Sequence, residues 1–97
     1  MPQVTLLYFD GCPNWRTAYK RLRRLAEEHG FALEYRQVEA PEEAERLGFA
    51  GSPTVLVDGV DPFATGDEPT GLACRVYATE DGPRGSPTFE QLRSLIA

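Results

Sequence analysis

The sequence predicts a small α/β fold with element order β-α-β-α-β-β-α: a four-stranded mixed sheet with helices on both faces. Two observations predict it. Short apolar runs rich in β-formers alternate with stretches whose apolar residues recur every three or four positions. Glycine and proline mark the boundaries between the two patterns. At 97 residues, the whole chain, 1–97, is expected to form one domain around one core.

Gln3 to Phe9 is apolar and continuous, as a central strand requires. Pro13 to His29 reads as a helix with Cys12 as N-cap and Pro13 at N1, where its missing N–H costs nothing. Trp15, Ala18, Tyr19, Leu22, Leu25 and Ala26 make its apolar face, and Gly30 ends it. Phe31 to Val38 alternates as a second strand, parallel to the first through a right-handed crossover. Pro41 to Leu47 is a short helix stopped by Gly48, with glutamates at its positive end. Thr54 to Val57 is a third strand closed by the Asp58-Gly59 turn signal. Residues 59–73 form a long loop, and Cys74 to Thr79 a fourth strand antiparallel to the third. Asp81-Gly82-Pro83 turns the chain. Thr88 and Gln91 have capping-box spacing at the start of a closing helix to Ile96.

Composition excludes several classes of function. A net charge of −5 opposes nonspecific nucleic-acid binding. No apolar run reaches the roughly 18 residues of a membrane span. The segment Met1-Pro2-Gln3-Val4-Thr5 lacks a basic and an apolar region, so no signal peptide is predicted and the cytoplasm is the expected location. Two cysteines do not make a disulfide scaffold; they read as reactive, metal-binding or buried. Arg16, Lys20, Arg21, Arg23 and Arg24 crowd the first helix, and the plain reading of Arg16, Lys20, Arg23 and Arg24, opposite its apolar stripe, is a solvated face. His29 stands at the far end of that helix, some 25 Å from Cys12 at about 1.5 Å per residue. No Cys or His spacing suggests a metal site.

Cys12 is the candidate reactive group. A thiol at a helix N-terminus faces unpaired N–H groups and the positive end of the dipole, both of which favour the nucleophilic thiolate. Asp10 opposes this if its carboxylate points inward. Cys74 is the other thiol. Strand four is expected to start at the far end of strand three, on the order of 10 Å or more from Cys12 at about 3.3 Å per residue. A disulfide needs Cα atoms within about 7 Å. Cys74 is therefore expected as a buried strand cysteine, and a resolving role requires the 59–73 loop to fold back over the site. The length of that loop leaves two readings open, a partner surface presenting Phe63 and its acidic residues or an ordered excursion.

Asp10-Gly11-Cys12-Pro13 between strand and helix, Gly51-Ser52-Pro53-Thr54 at strand three, and the element order together resemble the thioredoxin-like superfamily, especially its glutaredoxin-sized members. A fainter likeness is to small bacterial thioredoxin-like proteins labelled with alkylmercury lyases. The resemblance implies a cis Ser52-Pro53 bond beside Cys12, exposing the Ser52 backbone so that an extended thiol substrate can pair with it. Trp15 stands where the family's second cysteine would be. That departure implies a monothiol thiol–disulfide oxidoreductase acting through Cys12. Ser52, Pro53, Thr54, Trp15 and Arg16 are its candidate substrate-binding residues, although Trp15 also reads as a core anchor. Arg16 is a candidate partner for the thiolate or a substrate carboxylate.

The expected partner is a thiol or disulfide, small or protein, with glutathione as co-substrate, no other cofactor and no metal. The expected assembly is a monomer or weak homodimer. Two other readings stand beside this one: a non-enzymatic binding or redox-sensing module, and capture of mercury or a similar soft metal by Cys12.

Overall fold

The structure, a computed structural model, describes residues 3–66 and 68–96. Its elements are β1 (Gln3–Tyr8), α1 (Trp15–His29), β2 (Ala32–Gln37), α2 (Pro41–Leu47), β3 (Thr54–Val57), β4 (Tyr77–Thr79), β5 (Gly82–Arg84) and α3 (Phe89–Ile96). No described helix is long and apolar enough to cross a membrane.

The expected four-stranded sheet with helices on both faces does not form. Instead there are two sheets: three strands in the order β2-β1-β3, and a separate β4-β5 hairpin. β1 runs parallel to β2 and antiparallel to β3. The physical reason lies just before β4. Residues 73–75 are drawn onto Ser52, ahead of β3, where Ser52 N–H donates to the Ala73 carbonyl and Arg75 N–H to the Ser52 carbonyl. That leaves Tyr77–Thr79 to pair with Gly82–Arg84 across a tight turn at Glu80-Asp81. Gly82 and Pro83, which read as turn residues, form a short strand free of ladder demands on its outer side.

The first apolar cluster joins Val4 and Leu6 of β1, Ala18, Leu22 and Leu25 of α1, Val55 of β3 and Leu92 of α3. Leu7, one residue on and so on the opposite face, joins Val38, Ala44 of α2 and the fully buried Phe49. β2 is an edge strand, and its Tyr35 is 55% exposed.

Helix ends follow local chemistry in part. α1 stops at Gly30 in the left-handed region (φ 73°), a conformation glycine adopts without a Cβ penalty. Thr88 and Gln91 form the reciprocal capping box: Thr88 N–H donates to Gln91 Oε1 (2.9 Å), and Gln91 N–H to Thr88 Oγ1 (3.1 Å). The start of α1 differs from expectation. Cys12 is not its N-cap: the helix begins at Trp15, and the Cys12 N–H donates to the Phe9 carbonyl (3.0 Å) in the turn before it. That turn carries Cys12 into the core, and the cap position falls to Asn14.

Leu22 is fully buried between α1 and the sheet. Leu22→Ala is expected to lower the unfolding free energy by about 2–5 kcal/mol, measured by urea denaturation. A loss no larger than that of an exposed position such as Arg23→Ala would contradict this placement.

Candidate active site

The two cysteines, far apart in sequence, come together. Their Cα atoms are 5.6 Å apart across 62 residues, and they are joined as a disulfide. This corrects the expected separation of 10 Å or more and the expectation of a buried strand cysteine. Cys74 is exposed and lies in an isolated parallel bridge with Ser52, outside any strand. Strand direction separates the two cysteines only if Cys74 opens a strand continuing β3's sheet; instead the loop returns onto Ser52 first.

Cys12 is fully buried. Its Sγ lies 3.9 Å from the Ser52 carbonyl oxygen, a contact that becomes an S–H···O hydrogen bond only in the reduced thiol. The Ser52-Pro53 peptide bond is cis. The backbone of Ser52, expected to be free for a substrate, is occupied on both sides by Ala73 (2.7 Å) and Arg75 (2.9 Å). Its hydroxyl is buried and has no hydrogen-bond partner among the described residues.

Arg75 holds this returning segment. Its guanidinium pairs with Asp61 at 2.7 Å, and the two side chains are only 6% and 12% exposed. It also donates to Thr54 Oγ1 at 3.3 Å and lies 4.7 Å over the Tyr77 ring. Thr54 Oγ1 in turn donates to the Gly51 carbonyl (2.6 Å), and the Tyr77 hydroxyl donates to the Pro53 carbonyl. Thr54 is therefore inside the structure that supports the loop. Gly51, at φ 106°, is the close-approach point: a Cβ there would sit 3.0 Å from Arg75 Cβ and 3.2 Å from the Ala73 oxygen. Any other residue would push the segment away.

Trp15 and Arg16 lie elsewhere. The Trp15 ring stacks on Tyr8 at 4.1 Å and packs against the core, and the Arg16 guanidinium sits 5.6 Å from the Trp15 ring centre. With Tyr19, Lys20 and Tyr35 they line a shallow cleft of about 330 Å³. Cys74 instead borders a cleft of about 500 Å³ with Gly51, Glu68, Thr70 and Val76. Asp10 is exposed.

Of the basic cluster, Arg23 and Arg24 pair with Glu27 and Glu28 on the surface, while Arg21 ties α1 to Ser86 and Pro87. The 59–73 loop is largely an ordered excursion. Asp61 Oδ1 accepts from Phe63 N–H, Glu68 accepts from Thr65, and Phe63 meets Tyr77 edge-on at 5.1 Å. Asp67, one of its acidic residues, lies outside the described residues. Among the described residues no three His, Cys, Asp or Glu side chains gather to hold a metal.

Asp61, Arg75 and Tyr77 were not singled out in the sequence. Asp61 and Arg75 are 14 residues apart, and no local pattern couples them. No protein-family model matches the chain, and no curated protein matches it either.

Two predictions follow the Arg75 lattice. Arg75→Ala leaves Asp61 buried and unpaired, and is expected to cost about 3–5 kcal/mol in chemical denaturation; Arg93→Ala, on the surface, serves as the control. The second concerns Tyr77, whose phenol burial pushes well above the ordinary range, with Arg75 opposing and Asp61 adding to the shift. Below an ordinary phenol pKa of about 10, both folded and unfolded chains keep the proton. Above it the unfolded chain loses the proton first, so stability falls as pH rises. Tyr77→Phe is expected to lose about 0.5–1.5 kcal/mol at neutral pH through its missing hydrogen bond. It should also decline less steeply than the unmodified chain above pH 10. Parallel declines would contradict the assignment.

Proposed function

We propose that this protein is a thiol–disulfide oxidoreductase whose redox pair is Cys12 and Cys74. The observation that carries the reading is the 5.6 Å Cα separation of two cysteines that are 62 residues apart, within the reach of a disulfide. The proposal departs from the monothiol chemistry suggested by Trp15, because a second thiol arrives from the opposite end of the chain. The resemblance to the thioredoxin-like superfamily supports it, as does the cis Ser52-Pro53 bond beside Cys12. Its substrates would be thiols and disulfides, with glutathione as the reducing co-substrate, and it would act in the cytoplasm as a monomer or weak homodimer.

A second reading rests on a specific observation. The Arg75–Asp61 pair anchors the segment that bears Cys74, as suits a redox sensor that closes and opens without turnover. Turnover separates the two. With glutathione as reductant, the wild-type chain is expected to reduce a glutathione mixed disulfide catalytically, and the double variant Cys12→Ser, Cys74→Ser is expected to lose that turnover. Stoichiometric oxidation and reduction without turnover would sink the enzymatic reading in favour of the sensor.

A further inference from the structure

We propose that Cys74, rather than Cys12, is the sulfur that meets the substrate, that the cleft beside it receives a thiol or disulfide, and that Cys12 is the resolving thiol. The inference rests on the redox-pair reading and reverses the roles that the Cys12-Pro13 motif suggests. Three independent observations converge on it.

The first is access. Cys12 is fully buried, whereas Cys74 is exposed. Thiol exchange requires the attacking sulfur to reach the sulfur attacked. The second is the cleft of about 500 Å³, whose wall includes Cys74, Gly51, Thr70 and Val76, and which is not lined by Cys12, Ser52 or Pro53 among the described residues. The third is the Ser52 backbone. Its N–H and C=O are both engaged by the chain's own residues 73–75, so an incoming peptide cannot add there as a strand. The segment is not loosely laid in place: Arg75 is paired and buried, and Gly51 leaves room for its close approach. Access to Cys12 through the Ser52 side therefore requires undocking an anchored segment, whereas Cys74 is an exposed residue on the wall of the open cleft.

The chemistry balances in both directions. In oxidation of a thiol, a substrate thiolate RS⁻ attacks Cys74 Sγ. An RS–S(Cys74) bond forms, the Cys12–Cys74 bond breaks, and Cys12 leaves as a thiolate that takes a proton. The Ser52 carbonyl 3.9 Å away accepts a hydrogen bond from the resulting S–H. A second substrate thiolate attacks the substrate sulfur of the mixed disulfide, releasing RSSR and the Cys74 thiolate. In the reverse direction the Cys74 thiolate attacks RSSR and expels RS⁻; Cys12, deprotonated, then attacks Cys74 Sγ and expels the second RS⁻. The two electrons pass between substrate thiols and the cysteine pair, with no further reagent.

The test uses glutathione disulfide as probe, with intact-mass detection of the glutathionyl adduct. Cys12→Ser is expected to form the adduct at Cys74 at the rate of an open thiol. Cys74→Ser is expected to form it at Cys12 at least about a hundredfold more slowly, because Cys12 reacts only through local opening, and to lose that protection in denaturant. Variant folding is bypassed by a second measurement: limiting iodoacetamide on the reduced wild-type chain, with peptide mapping, is expected to label Cys74 first. If Cys12 reacts as fast as Cys74 in both measurements while wild-type turnover persists, the inversion of roles is overturned and the redox-pair reading stands. If wild-type turnover is absent as well, both fall.

Discussion

Arg75 is the residue on which the arrangement of the two sulfurs depends. A guanidinium removed from water needs compensation for its lost hydration, and Arg75 finds it in Asp61, the Thr54 hydroxyl and the face of Tyr77. Each partner comes from a different part of the site: the start of the long loop, the first residue of β3, and the first residue of β4. The planar, always-charged guanidinium can satisfy all three at once, which a lysine ammonium with its compact, strongly hydrated charge does poorly. Removing any one partner exposes the others to an unpaired buried group. The loop's return, and with it the position of Cys74, is thereby set by one side chain.

From that anchor the burial pattern follows. Residues 73–75 cover Ser52 and complete its backbone hydrogen bonds, so the Pro53 loop has no free edge. Covering Ser52 helps to enclose Cys12, whose own N–H is spent in the turn to Phe9. Cys74, on the covering segment itself, remains an exposed residue whose sulfur is bonded to Cys12. The same docking explains the two-sheet architecture, since a segment held at Ser52 is committed before it can extend β3's sheet. Fold and site are thus consequences of one contact set.

This also explains which parts were legible in the sequence. α1's apolar face, the Gly30 and Gly48 stops, the Thr88/Gln91 box and the Asp58-Gly59 turn are local, and residues a few positions apart decide them. Cys12 and the Ser52-Pro53 pair stand out in the sequence as a candidate site because they sit at junctions with distinct backbone demands. The helix start at Trp15 rather than Pro13 leaves no mark on the side-chain pattern, because residues 13 and 14 form a turn that the apolar spacing does not report. The position of Cys74 was misread because it depends on a loop whose closure is encoded by Asp61 and Arg75, neither distinguishable from a surface charge without its partner. β5 was missed because glycine and proline seldom build strands, and only the hairpin context makes them one.

The non-covalent anchor bears on the energetics of the cysteine pair. Closing a 62-residue separation in an unfolded chain costs about 4 kcal/mol of loop entropy by the usual scaling with loop length. On the proposed redox-pair reading, packing and the Arg75 anchor meet that cost in the folded protein, so the two thiols would face each other at high effective concentration. Oxidation then stabilises the folded chain, and by linkage the folded chain favours oxidation to the same degree. Under that proposal, a pair held this way would break and re-form its bond without the loop drifting off. That property distinguishes it from a disulfide that is itself the only tie across a long loop, where reduction would release the segment and lose the partner. The long loop, which looked like the least constrained part of the sequence, is therefore the element that gives Cys12 its partner.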